Sequence, residues 1–227
     1  MAGSLEHVAF DIETTGLAAS DAVTVVGFEL GLGCRVFYRG GNGTAAECEA
    51  AVSDRSGEHV RLTRCESEAE LLEAMAEFVV SRLRANDVLL VAYNGETWRG
   101  GFDLPFLRTR FAAHDVQWPF HDLPYADVFP VVRDLFNTRV NGDAASDLET
   151  AYDVLCGGAH DEFDPFDDSS EAVAAFEDGR AVELVLHNVS DVLRTGALSA
   201  LAQRYCSKSD FNVKSLTPTV EEYGDRP

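Results

Sequence analysis

A chain of 227 residues, 46% of them hydrophobic, is long enough to bury one substantial core, and with no linker-like stretch or internal repeat it is not divided into several domains. Its net charge of −21, from 39 acidic against 18 basic residues, excludes the strongly basic surface that usually draws proteins to polynucleotides. Five cysteines, Cys34, Cys48, Cys65, Cys156 and Cys206, are odd in number and form no Cys-x-x-Cys pair, which argues against a disulfide framework or a structural zinc site.

Near the N-terminus Val8, Phe10 and Ile12 alternate with Ala9, Asp11 and Glu13. A strand is expected that buries the first set and turns both carboxylates to its other face. Thr14, Thr15 and Gly16 end it, leaving Asp11 and Glu13 near the C-terminal edge, where open α/β sheets place ligands. The Asp-x-Glu spacing alone is weak and recurs at Asp147 and Glu149; the string Phe10-Asp11-Ile12-Glu13-Thr14-Thr15-Gly16-Leu17 is far more specific. Val23 to Leu32 and Arg35 to Arg39 read as two more strands around the turn Gly31-Leu32-Gly33, continuing an antiparallel meander. Ser67 and Glu70 then form a capping box, and Leu71, Leu72, Met75, Val79 and Leu83 give the following helix a core face.

Val88-Leu89-Leu90-Val91-Ala92-Tyr93 reads as a buried strand ended by the turn signal Asn94-Gly95. Asp103 stands before Leu104-Pro105-Phe106-Leu107, where a proline near the first helical position makes Asp103 a candidate N-cap. Capping alone explains that residue, although a cap at the sheet's edge can also reach a metal through water. Ser146 with Glu149 repeats the capping-box spacing, and Asp168 with Glu171 resembles it. Between them, the stretch from Asp161 to Asp168 lacks the glycine and terminal glutamate of an EF-hand loop and reads as a solvated acidic loop.

From Arg180 to Tyr205 there is no proline, and Val182, Leu186, Val189, Leu193, Leu198 and Leu201 approximate the apolar stripe of one long helix. His187 and Asp191 are four apart and share a face of it. Read alone, they are a polar pair on a solvated face; beside other carboxylates, the histidine could position or deprotonate a water while Asp191 holds a metal. From Ser207 onward apolar density falls, so 1–206 is expected as a single domain and 207–227 as a loosely packed tail. A functional strand within ten residues of the start leaves no room for a signal peptide, and no apolar run is long enough to span a membrane, so a cytoplasmic location is expected.

Asp11, Glu13, Asp103 and Asp191 come from distant segments and would repel one another unless divalent cations compensated them. Such a cluster suits in-line displacement at phosphorus. Together the segments resemble the DEDD exonuclease superfamily, and most closely stand-alone 3′-to-5′ exonucleases related to the proofreading domain of family B DNA polymerases. The resemblance runs from about Phe10 to Tyr205. It implies an α/β, ribonuclease H-like mixed sheet, an antiparallel meander plus parallel strands, flanked by helices. The Asp-x-Glu strand of that family falls on Asp11 and Glu13, its second motif on Asp103 with Asn94 and Phe102 beside it, and its last aspartate on Asp191.

Two features depart from the pattern. Seven residues, Gly95 to Gly101, separate Asn94 from Phe102 where three are common; Trp98 in this insertion could stack on a base and Arg99 could meet phosphate. His187 stands four before the last aspartate, where one branch has tyrosine and the other has histidine five before.

The resemblance implies two Mg2+ or Mn2+ ions. Asp11, Glu13 and Asp191 would hold one, and Asp11 with Asp103 through water the second. It also implies a single-stranded or frayed 3′ end of DNA or RNA as substrate, with a polymerase or repair partner possible. A non-catalytic nucleic-acid-binding or polymerase-associated module of the same fold and a small-molecule phosphoesterase are the alternatives. The acidic balance fits the substrate if the protein works in a high-salt cytoplasm: only Lys208 and Lys214 are lysines, and at about 1 M salt the Debye length is ~3 Å, so distant acidic charges barely repel a polyanion.

Overall fold

In a computed structural model, which describes residues 5–96, 101–168 and 170–220, the alternating N-terminal stretch forms strand β1 (Glu6–Thr14). Val8, Phe10 and Ile12 join one core with Leu71, Leu104 and Leu107, while Ala9 packs on the opposite face with Leu198 and Ala202. The expected meander follows as β2 (Val23–Leu30) and β3 (Gly33–Arg39). The chain turns into β3 at Gly33, whose φ of 125° and close approach to the His59 carbonyl, 2.0 Å from where a Cβ would stand, both require glycine.

Helix α1 (Ala45–Ser56) and strand β4 (Val60–Cys65) have faint sequence signatures. The helix buries only Cys48 and Val52, and the strand interleaves arginines with its apolar residues. Side chains of α1 close the outer edge of β4: Ser53 accepts from the Val60 amide and Glu49 from the Leu62 amide, occupying groups that could otherwise recruit another strand. Helix α2 (Glu68–Phe78) begins at Ser67, whose hydroxyl accepts from the Glu70 amide, and runs on into a π-helical turn at Val79–Leu83.

Strand β5 (Val88–Ala92) returns parallel to β1. After it come α3 (Asp103–His114), β6 (Pro124–Asp127), α4 (Val128–Leu135) and a small hairpin of β7 (Arg139–Val140) and β8 (Asp143–Ala144). Helix α5 (Leu148–Cys156) is capped by Asp147, which accepts from the Thr150 amide, rather than by Ser146. A 3-10 turn at Ala159–Phe163, α6 (Glu171–Glu177) and the 25-residue α7 (Ala181–Tyr205) follow.

The main sheet has the order β4-β3-β2-β1-β5-β6-β9, β9 being Lys214–Ser215, with β2 and β9 antiparallel to the other strands. Helices α2 and α3 cover one face. Helices α1, α6 and α7 cover the other beside β2 and β3, and α4, α5 and α7 cover it beside β5 and β6. This is the α/β fold expected, a mixed sheet of antiparallel meander and parallel strands between helices, in keeping with a ribonuclease H-like arrangement. Parallel running brings the C-terminal ends of β1, β5 and β6 to one edge of the sheet, where a site can form.

The segment expected to be a loose tail is packed through residue 216. Phe211 and Leu216 are buried, the Trp118 indole N–H donates to the Leu216 carbonyl at 3.1 Å, and β9 pairs with β6. Few apolar residues lie there, but two of them fill positions in the core, and that outweighs the low density. Among the described residues no helix is long and apolar enough to cross a membrane.

Candidate active site

Helix α7 crosses the face of β1 that carries Ala9, Asp11 and Glu13, running in the opposite direction. Leu198 and Ala202 pack with Ala9, Asn188 meets Asp11, and His187 faces Glu13. The Asn188 side-chain amide donates to Asp11 Oδ2 at 2.9 Å. It can reach because Gly27 stands directly across β2 from Asp11; a Cβ there would lie 2.0 Å from Asn188 Oδ1. His187 Nε2 lies 4.0 Å from Glu13 Oε1 and 3.8 Å from Asp191 Oδ2, and the ring leans on Phe166 at 5.2 Å between centroids. So the helix places a buried His187 and a partly buried Asp191 beside the β1 carboxylates, not on a solvated face.

Asp103 reaches the same region from another direction. It is the first residue of α3 and makes no cap; the position before it belongs to Phe102, which has no capping side chain. The expected N-cap assignment is therefore corrected, and the buried carboxylate of Asp103 is left to the site. Its position is fixed by the connection from β5. The Asn94 carbonyl accepts from the Phe102 amide and the Gly95 carbonyl from the Leu104 amide, so the insertion leaves and returns at one point. Asn94 itself has a φ of 63°. Asp127 ties this base down, accepting from the amides of Asn94 (2.9 Å), Glu96 (3.2 Å) and Phe129 (3.0 Å). Phe102 packs against Phe106 with centroids 4.8 Å apart. Trp98 and Arg99, the candidate base-stacking and phosphate contacts, lie outside the described residues.

The electrostatics follow from crowding acids in the interior. Burial, then Glu13, Asp103 and Asp191, hold Asp11 well above the usual carboxylate range, against the Asn188 hydrogen bond. Burial, then Asp127, Glu13 and Asp191, do the same to Asp103. Burial raises Glu13 to about 7 although the neighbouring His187 opposes it. For His187 burial favours the neutral ring, yet Glu13, the Asp164 hydrogen bond and Asp191 outweigh it and raise the ring to about 10. Like charges crowded this closely favour any added cation. One ligand atom each from Glu13, His187 and Asp191 lies within 4.8 Å of the others, so this trio, two of its members buried and Asp191 partly so, could hold a metal ion. The fit is supported by His187 Nε2 and Asn188 Oδ1, both buried without a hydrogen-bond partner among the described residues.

Three neighbours were not evident from the sequence. Asn188 supplies the contact to Asp11; its place beside His187 was its only signal. Asp164 belongs to the stretch expected to be solvated, yet its side chain is 4% exposed and accepts from His187 Nδ1 at 3.0 Å. Arg194, also 4% exposed, binds Asp161, Asp164 and Asp191; its spacing of three from Asp191 on a helix was the available clue. Comparison of the chain with known protein families gives no match, and comparison with curated proteins gives none either.

Proposed function

We propose that the protein is a divalent-metal-dependent 3′-to-5′ exonuclease that hydrolyses phosphodiester bonds at a single-stranded or frayed end of DNA or RNA. The observation that carries this reading is the meeting of Asp11 and Glu13 from β1, Asp103 from α3 and Asp191 from α7 with His187 in one cluster. A non-catalytic fold would have little use for acids crowded this closely, Asp11, Glu13 and Asp103 all pushed upward by burial and by their acidic neighbours. The choice of the 3′ end rests on the resemblance of the three segments to the DEDD exonucleases.

Asp11, Glu13, Asp103 and Asp191 would hold two Mg2+ or Mn2+ ions, since carboxylate oxygens are hard ligands. When bound, such ions neutralise phosphoryl charge, activate a water and stabilise the leaving oxygen. Within the chain, His187 presents Nε2 between Glu13 and Asp191, where it can orient a water. Asn188 holds Asp11 in place through Oδ2. Phe102, half-buried beside Asp103, offers an aromatic surface for a terminal base.

Substrates labelled at the 5′ end separate this reading from its alternatives. Single-stranded DNA, single-stranded RNA and a mononucleotide phosphodiester would be incubated with Mn2+ in concentrated KCl. A ladder shortening from the 3′ end supports the exonuclease. Retention of label in a complex without products would mark a binding module, and turnover of the mononucleotide ester alone a phosphoesterase.

A further inference from the structure

Arg194 is a buried cation on α7 that joins the acidic loop to Asp191. Its Nε donates to Asp161 Oδ1 at 2.8 Å, and NH2 of the same group reaches that oxygen at 2.6 Å. Its NH1 donates to Asp164 Oδ2 at 2.8 Å and to Asp191 Oδ1 at 2.7 Å. A planar guanidinium holds the three carboxylates from separate nitrogens in fixed directions, whereas an ammonium would have to gather them around a single atom on a shorter reach. The consequences reach the site by two routes. Asp191 has one oxygen taken by Arg194, and its other, Oδ2, is the one turned toward His187 Nε2. Asp164, held by Arg194, in turn grips His187 Nδ1 at 3.0 Å from Oδ1 and 3.2 Å from Oδ2, which points the opposite ring nitrogen at Glu13 and Asp191.

We infer that Arg194 is a positioning residue: with Asp161 and Asp164 it braces the α7 half of the site, limiting Asp191 to one metal-facing oxygen and fixing the direction of His187 Nε2. This deepens the metal-dependent reading of the same site and rests on it. The loop carrying Asp161 and Asp164 thereby becomes part of the catalytic apparatus without touching substrate. A mutation in such an outer layer typically costs about 10- to 100-fold in metal affinity or activity.

The test compares wild type with Arg194→Lys and Asp161→Asn, using calorimetric titration with Mn2+ alone and, separately, kcat and KM on a single-stranded oligonucleotide. Arg194→Lys keeps the charge but loses the fork. It is expected to weaken Mn2+ binding by about 10-fold or more and to lower kcat by about 10- to 100-fold, with KM for the oligonucleotide within about twofold of wild type. Asp161→Asn, on the far side of the guanidinium from the site, is expected to shift both in the same direction by less, below the ~10-fold lower end of that range. Should Arg194→Lys fail to fold, Asp161→Asn decides the matter. Unchanged Mn2+ affinity and kcat in the folded variants would overturn the brace while leaving the exonuclease reading intact. Mn2+ binding that the variants weaken, in a wild type that cleaves nothing, would support the brace and overturn the nuclease. No Mn2+ binding by wild type would overturn both.

Discussion

Glu13 and His187 hold their protons more tightly in the folded chain than in the unfolded one, Glu13 moving from 4.5 to about 7 and His187 from 6.5 to about 10. Both shifts are upward, so the stability they contribute is complete in mild acid and is lost as pH rises through the folded values. Asp164 and Glu68 are shifted downward, and their contribution disappears only in stronger acid, outside that window. The metal-free protein is therefore expected to melt roughly 5 °C lower near pH 9 than near pH 5. Mg2+ or Mn2+ should restore the site's share of that loss, because a bound cation takes over the role of the protons. Glu29, raised to about 7 by burial and by Glu58 and Glu6, has the same sign but lies outside the site, so its share should persist with metal present. A melting temperature that rises with pH in the absence of metal would contradict this view of the cluster.

At the scale of elements, the site depends on α7 lying close against β1 and β2. Gly27 makes that approach possible at the row of Asp11. Gly27→Ala is expected to displace Asn188, release Asp11 from its hydrogen bond and destabilise the fold by about 1–3 kcal/mol, the usual range for overpacking. Denaturant unfolding would measure the loss, and an unchanged midpoint would show that Asn188 can move aside freely. The β1 string and the apolar stripe of α7 were legible because each is written in a short, periodic stretch. So were α2 and the meander. What was not legible depended on pairs far apart in sequence. Asp103 looks like a cap until the Asn94 and Gly95 carbonyls are seen to hold the amides of Phe102 and Leu104. Asp164 looks solvated until Arg194, thirty residues on, is placed against it. Helix α1 and strand β4 escaped because neither has the regular apolar spacing that marks an element, α1 burying only two residues.

For the whole molecule, the charge of −21 has to be reconciled with a polyanionic substrate. We propose that the protein is adapted to high salt, where screening shortens the reach of its acidic surface. Raising KCl from dilute buffer to about 1 M is then expected to increase thermal stability and to strengthen oligonucleotide binding, the reverse of the usual salt dependence of nucleic-acid binding. Full stability without added salt would count against it. The central claim, a metal-dependent exonuclease built on Asp11, Glu13, Asp103 and Asp191, is tested most directly by one assay. Wild type and Asp11→Ala, both verified as folded by circular dichroism, would be incubated in concentrated KCl with 5′-labelled single-stranded DNA and RNA, with and without Mn2+. A Mn2+-dependent ladder shortening from the 3′ end with wild type, and absent from Asp11→Ala, is expected. Equal cleavage by both proteins, or no cleavage by a folded, metal-loaded wild type, would contradict it.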